Sequence, residues 1–249
     1  VTTPSWRIEH CDELPSTNVA LAERWREGER SGAVLLTDFQ SAGKGRRDRE
    51  WVAPPGSSLL CSLLLEVNGP QAASLVPFSV ALAAKHALES LMNISVGLKW
   101  PNDLLVGEKK VAGILSEYLV DATRQAVVVG IGVNLTYSGP ENSAATSVHD
   151  EVGSAPSPRV LLDALLEELS HRLDLLDSES GRQELRFDYE ASLVTLGQVV
   201  NVNLGESVIL GFAQGIDETG QLIVATSERE VHCNVGDVIH VRPATEVGS

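Results

Sequence analysis

No uninterrupted apolar run in this sequence is long enough to span a bilayer. The most apolar stretch, Ala72 to Leu88, is broken by Pro77, Lys85 and His86, whereas a spanning helix needs about 20 consecutive, predominantly apolar residues. The first residues lack the basic start and apolar run of a signal peptide. The three cysteines, Cys11, Cys61 and Cys233, are an odd number without metal-ligand spacing. That argues against a disulfide framework and for reduced thiols in a cytoplasm. Cys61 alternates within a strand-like run and reads as core. Aromatic residues are scarce at 4%, yet 43% hydrophobic content over 249 residues argues against disorder and gives a sizeable core, in one large domain or two unequal ones. Basic residues are outnumbered, with 19 Lys and Arg against 34 Asp and Glu and a formal net charge of −15. Such a balance opposes general binding to phosphate backbones. There is no internal repeat, no Walker A lysine motif and no complete G-x-G-x-x-G, which argues against nucleotide sites of those types.

Against that acidic background one segment is anomalous. Gln40-Ser-Ala-Gly-Lys-Gly-Arg-Arg-Asp-Arg-Glu-Trp51 places Lys44, Arg46, Arg47 and Arg49 within six residues. Crowding like charges costs repulsion, so an anion that visits the segment is one explanation; a solvated charged turn or a nucleic-acid patch is the other. Gly43 and Gly45 allow close backbone approach to a ligand, and guanidinium forks match phosphate or carboxylate oxygens. A second cluster runs from Lys99 through Trp-Pro-Asn-Asp103 to Ile114. Pro101 biases Trp100 toward an extended conformation, Asn102 and Asp103 are turn formers, and Gly107-Glu108 reads as a hairpin tip returning through Lys110-Val-Ala-Gly-Ile-Leu115. Lys110 then starts an apolar strand, either solvated or reaching into a cleft.

The remaining pattern is read coarsely. Pro15-Ser16-Thr17 supplies N-cap chemistry for a helix to about Glu27. Strands are expected over Ala33 to Asp38, Ser58 to Val67, Val96 to Lys99, Lys110 to Val120 and Gln125 to Leu135, the last two paired antiparallel around Asp121 to Arg124. Gln71 to Met92 reads as a mostly buried helix. Pro158 to Leu176 reads as an amphipathic helix with leucines at 161, 162, 165, 166, 169 and 173 following the 3.6 period, and a last helix covers about Glu179 to Leu193. From Gly197 short β-rich runs are punctuated at Gly205-Glu206, Asp217 to Gly220, Ser227-Glu228 and Gly236-Asp237, the spacing of a small antiparallel barrel. The chain therefore divides near Leu193 to Leu196, into 1–194 and 195–249.

The two clusters, with their neighbours, carry a family resemblance. Ser16-Thr17-Asn18, Gln40 with Gly43 to Trp51, Lys99 to Asp103, Lys110 to Gly113, Gly130-Ile-Gly-Val-Asn134 and Ala145-Thr-Ser147 follow in order the motifs of the biotin protein ligases. The chain resembles that family over roughly residues 16–241. It departs from the pattern at Lys44, where an arginine is usual, and at Asp48, where a glycine is common. The resemblance implies an α+β fold, a mixed sheet flanked by helices akin to class II aminoacyl-tRNA synthetases, followed by a small SH3-like β-barrel. It also implies ATP-dependent activation of biotin to biotinyl-5'-AMP with release of pyrophosphate, then transfer to a lysine of a biotin carboxyl carrier protein. ATP brings Mg²⁺, with metal ligands unassigned.

The implied roles can be set against the chemistry of the residues. Lys110 and Arg46 would be catalytic. Biotin would be held by Ser16, Thr17, Asn18 and Gln40, which offer the donors and acceptors a ureido ring needs, with Gly43, Lys44, Gly45, Arg46, Lys110, Gly113, Gly130 and Gly132. ATP would meet Arg46, Arg49, Asn102, Lys110 and Asn134. Ser16 or Thr17 also has a plain reading as a helix cap, and Lys99 a structural one. Gly130 and Gly132 interrupt a strand, which weakens pairing but admits a ligand close to the backbone. The glycine-hinged basic loop would close over a water-sensitive anhydride, with Trp51 anchoring its far end. Three rivals stand beside this reading. A lipoate ligase or octanoyl transferase does not explain the polar set at 16–18 and 40. A nucleic-acid-binding regulator meets the acidic balance and the fifteen residues before Ser16, too few for a helix-turn-helix domain. A biotin-binding module would show no ATP-dependent pyrophosphate release.

Overall fold

The computed structural model describes residues 3–240 apart from 48, 142, 205, 206, 235 and 236. A seven-stranded sheet is built from β1 (Arg7–Leu14), β2 (Ala33–Gln40), β3 (Ser58–Glu66), β4 (Gly97–Lys99), β5 (Asp103–Val106), β6 (Lys109–Val120) and β7 (Gln125–Asn134), in the order β1-β2-β3-β7-β6-β5-β4. Only β1 and β2 run parallel; every other neighbouring pair is antiparallel. The central strands β3 and β7 are buried on both faces, which explains why their sequences are continuous apolar runs rather than alternating ones. β1 escaped the sequence reading because Arg-Ile-Glu-His-Cys-Asp-Glu-Leu is mostly charged or polar. It is an edge strand, where charge guards against further pairing.

Helices cover both faces. On one, α1 (Thr17–Arg26) buries Leu21, Ala22 and Trp25 against Leu35, Leu64 and Val128. On the other, α2 (Pro70–Met92), α4 (Pro158–Leu173) and α5 (Glu179–Ser192) enclose the main core with Val34, Leu63, Leu65, Val127 and Val129. Alternate residues of β2, β3 and β7 thus serve opposite layers, as period-two pleating requires. The six leucines of α4 predicted to share a face are all buried. That helix stops at Leu173 and continues as a 3₁₀ turn, Asp174–Asp177. By length and composition α2 alone, among the described residues, qualifies as a membrane span, against the sequence expectation; 61% of its most apolar window is buried within the fold. A short α3 (Val148–Val152), capped by Ser147, was too brief for its period to be read.

The carboxy-terminal strands β8 (Val199–Asn203), β9 (Val208–Ile216), β10 (Leu222–Ala225), β11 (Glu230–Cys233) and β12 (Asp237–His240) form a separate antiparallel sheet, ordered β11-β10-β9-β8-β12. β11 and β12 are not paired among the described residues, so the expected barrel is an open, curled sheet here, with a register shift at Ile223/Val224. Two expected turns, at Gly205-Glu206 and at Gly236, lie outside the described residues. The turn at Asp217 to Gly220 is well built: Asp217 Oδ1 accepts from the Thr219 and Gln221 amides at 2.9 and 3.0 Å. The sheet docks on the larger unit through Trp100 Nε1–H to Gly220 O at 3.1 Å and Ile216 N–H to Glu190 Oε1 at 2.8 Å.

Candidate active site

The fold brings five of the six sequence motifs to one cleft of about 400 Å³. Its floor is formed where β6 and β7 pair, with Gly113 opposite Gly132 and Leu115 opposite Gly130. These glycines are needed because side chains of the protein already occupy the space above them. A Cβ on Gly130 would overlap Asn18 Oδ1. One on Gly132 would lie 2.5 Å from the Trp51 ring, and one on Gly113 would lie 3.1 Å from it and 2.9 Å from Lys110 Nζ. Trp51 is therefore seated over the strand glycines, in the cleft itself.

One wall is a buried polar network at the start of α1. Ser16 occupies the N-cap position but makes no capping hydrogen bond. Gln40, at the end of β2, does that work: its Oε1 accepts from Thr17 N–H at 2.8 Å and from Thr17 Oγ1 at 3.1 Å. Ser62 Oγ lies 2.7 Å from Thr17 Oγ1 and 2.5 Å from Asn18 Oδ1, while Asn18 Nδ2 donates to Leu115 O at 3.2 Å and Glu117 Oε1 at 3.3 Å. Ser16, Thr17 and Asn18 are each no more than 4% exposed. Ser62 was overlooked in the sequence; a lone hydroxyl within Leu-Cys-Ser-Leu-Leu was the available signal. Gln40→Leu is expected to orphan the Thr17 amide and destabilise the fold by about 1–3 kcal/mol. A thermal melt checks this, and a variant melting like the wild type would remove Gln40 from the cap.

The cleft is also lined by cations. Lys44, Arg46, Arg49, Lys99 and Lys110 line the cleft against two carboxylates, Glu50 and Asp103. The basic loop is folded back on itself: the backbones of Lys44 and Glu50 form an isolated antiparallel β-bridge, Gly45 N–H donates to Arg49 O at 2.7 Å, and Trp51 N–H donates to Gly43 O at 2.9 Å. Arg47, at φ 55°, donates from Nη2 to Asn203 O at 2.8 Å. Asp48 lies outside the described residues. Arg46 Nη1 reaches Asn102 Oδ1 at 3.3 Å, and Asn102 Nδ2 donates to Ile114 O at 2.9 Å. Lys110 Nζ is 2.6 Å from Asp103 Oδ1 and 5.7 Å from the Trp51 ring centroid.

Lys110 is also fixed through its backbone. Its N–H donates to Ala144 O at 2.9 Å and its carbonyl accepts from Thr146 N–H at 2.8 Å, a use for the Ala145-Thr-Ser147 motif that the sequence did not disclose. Asn134 is buried, away from the cleft lining, and gives its Nδ2 to Thr146 O at 3.0 Å. Gly43 also falls outside the lining, packed against the Trp51 carbonyl and the Gln40 side chain. The other sequence candidates all line the cleft, and Val238 of the small sheet joins them. Cys61 touches the cleft too, but burial pushes its thiol up to about 12, so it is neutral and no nucleophile near pH 7. No cluster of three or more His, Cys, Asp or Glu suited to a metal occurs among the described residues.

Comparison with known proteins gives the same direction. The profile of the Biotin/lipoate A/B protein ligase family matches residues 10–134, and that of the Biotin protein ligase C terminal domain matches residues 195–241. The biotin--[acetyl-CoA-carboxylase] ligase of Mycobacterium tuberculosis is 33% identical over 246 residues, covering 95% of this chain and 90% of that protein. The enzyme of the same name from Paracoccus denitrificans is 37% identical over 218 residues, covering 84% and 90%. A solved structure of the biotin protein ligase from Aquifex aeolicus in complex with biotin and ATP superposes with a TM-score of 0.79 at 30% identity, over 95% of this chain and 99% of that one. With likeness of this extent in sequence, fold and domain composition, the chain belongs to the Biotin/lipoate A/B protein ligase family.

Proposed function

We infer that this protein is an ATP-dependent biotin protein ligase, which forms biotinyl-5'-AMP with release of pyrophosphate and passes the biotinyl group to a lysine of a carboxylase's biotin carrier domain. The observation that carries this reading is that one cleft is lined both by a mixed donor and acceptor set, Ser16, Thr17, Asn18 and Gln40, and by a cationic set, Lys44, Arg46, Arg49, Lys99 and Lys110, with strand glycines between them in the lining. The first set suits a neutral ureido ring, and the second suits a carboxylate meeting a triphosphate.

Adenylation brings two anions together, and at about 4 Å each pair of unit charges repels by about 4 kcal/mol at an effective dielectric of 20. Lys110 and Arg46 offset that repulsion as the biotin carboxylate attacks the α-phosphate. Lys110 must leave Asp103 or share itself with the substrate, and Arg46 is steered by Asn102. Lys44 and Arg49 add charge toward the phosphates. In this reading Gly43 and Gly45 let the loop backbone move toward the ligand, which requires the Gly45 N–H to leave Arg49 O, and Asn134 acts on the nucleotide site through the segment that pins Lys110. Mg²⁺ enters as part of the nucleotide substrate. Asp103 and Asn102 are the residues with oxygens that would hold it, in the sparse protein coordination usual for this ion, and it would add positive charge to offset the negative charge of the phosphates. The carrier lysine then attacks the acyl carbon and AMP leaves.

Residues 1–194 form the catalytic unit and 195–249 the carboxy-terminal one, a division supported by the second family match beginning at 195. The reading includes no sequence-specific nucleic acid, consistent with the net charge of −15, and a cytoplasmic site of action, consistent with unpaired Cys11, Cys61 and Cys233. Biotin-dependent exchange of pyrophosphate into ATP tests the activity, with lipoate as the competing substrate. Exchange driven by lipoate and not by biotin would sink the reading.

The basic loop has a test of its own. It offers trypsin Lys44, Arg46, Arg47 and Arg49, and ordering its backbone costs about 1–2 kcal/mol per residue. A bound adenylate supplies a phosphate for the cations and apolar surface for the loop and Trp51 to cover. Trypsin is expected to nick the free protein early within 44–49. Biotin with ATP should slow that nick strongly, and ATP alone should do so less. Equal rates in all three states would mean that the loop is no ligand-gated lid.

A further inference from the structure

We propose that Trp100 is a positioning residue through which the carboxy-terminal unit sets the active-site turn, an inference that rests on the biotin ligase reading. Trp100 is 2% exposed, and both of its N–H groups are given to residues beyond α5. Its backbone N–H donates to Thr195 Oγ1 at 3.1 Å, and its indole Nε1–H donates to Gly220 O at 3.1 Å. Packing alone would need only an aromatic ring here; a buried indole N–H needs a fixed partner.

Both acceptors are held rigidly. Thr195 is fully buried and follows Val194, whose N–H extends the sheet edge by donating to Leu98 O at 2.8 Å. Gly220 closes the β9–β10 turn at φ 84°, and the Phe78 ring takes the place of its missing Cβ, 2.7 Å away. Phe78 is itself stacked on Tyr189, with ring centroids 3.8 Å apart. The Gly220 carbonyl therefore cannot drift toward a displaced indole.

What Trp100 fixes lies two and three residues on. Asn102 accepts from Arg46 and exchanges backbone and side-chain bonds with Ile114, both at 2.9 Å. Asp103 carries the ion pair to Lys110. The turn that spaces the two cations thus hangs between β6 on one side and residues 194–220 on the other. Loosening the second anchor displaces the cations from the reacting phosphate. The polar network at Thr17, Asn18 and Gln40 shares no hydrogen bond with that turn and is left in place. The loss should fall on kcat rather than on biotin KM.

The test uses the full chain and three variants in biotin-dependent ATP–pyrophosphate exchange. Trp100→Phe removes the indole N–H together with part of the ring volume, and Thr195→Val removes the acceptor at nearly constant volume, so that the second variant isolates the hydrogen bond. Each is expected to lower kcat roughly tenfold with biotin KM changed by less than about twofold, since misplacement of about 1 Å costs as much as a hundredfold. Thr195→Ser restores the acceptor and should return kcat to near the wild-type value. If Trp100→Phe and Thr195→Val melt earlier but keep wild-type kcat, or if Thr195→Ser is as slow as Thr195→Val, the positioning role is overturned. A silent wild-type protein overturns the ligase reading itself and the proposal with it, an outcome distinguishable because no variant is needed to see it.

Discussion

Lys110→Met is expected to slow biotinyl-adenylate formation by roughly 10²–10³, the loss typical of removing one preorganised group from a developing charge. The substitution keeps the length of the stem, giving up only the ammonium 5.7 Å from the Trp51 ring centroid, so the cleft should keep its shape. What it removes is the cation 2.6 Å from Asp103 Oδ1. That leaves the Asp103 carboxylate beside the path of the phosphates, where it adds repulsion to the missing attraction. Biotin affinity should change far less, because the residues proposed to hold the ureido ring, Ser16, Thr17, Asn18 and Gln40, do not include Lys110 or its ion-pair partner Asp103. Single-turnover adenylate formation with saturating biotin measures the chemical step, and calorimetric titration of biotin without ATP measures the binding. A variant with near-normal adenylation would take Lys110 out of the catalytic role. A variant whose whole defect lies in biotin binding would move Lys110 to the ureido side.

Gly130→Ala is expected to damage binding and stability together. The added Cβ would overlap Asn18 Oδ1 and come within 3.2 Å of Ser62 Oγ. Asn18 cannot simply swing away, because its amide is tied to Leu115 O and Glu117 and its carbonyl to Ser62. Either Asn18 leaves the network or β7 moves, and overpacking of this kind costs about 1–3 kcal/mol. Displacing Asn18 should also raise the KM for biotin at least tenfold, a loss equivalent to about 1.4 kcal/mol. Melting temperature and biotin KM check the two halves separately. Wild-type values for both would mean that the network tolerates the methyl group and that the glycine serves no packing need.

Most of the cleft was legible in the chain because its residue types are costly anywhere else. Four cations within six residues and a polar Ser-Thr-Asn triplet at a helix start need a ligand or a partner to justify them, and the order of the motifs supplied the family. The strands and helices with unbroken apolar period were legible for a similar reason: burial imposes its spacing on the sequence. β1 was not, since an edge strand carries charge, and α3 was not, since five residues hold little more than one turn of period. The small antiparallel barrel was read from turn spacing, which fixes strand lengths but not whether the two edge strands, β11 and β12, pair with each other.

The division between sequence and tertiary structure is clearest at the glycines and the caps. The sequence by itself determined the chemistry available: cations against a background charge of −15, a ureido-sized set of donors and acceptors, and a family with an adenylating reaction. It left the partner of each group open, because partners are set by strand pairing across many residues. Gln40, not Ser16, caps α1 because β2 ends beside that helix start. Trp51, not a bound ligand, fills the space above Gly132 because the basic loop returns over β6 and β7. Ala144 to Thr146 brace Lys110, and Asn134 braces Thr146, only because β7 lies where the returning segment can reach β6. Composition fixes what a site can do; the register and crossing of the strands fix which atoms stand within hydrogen-bonding distance to do it.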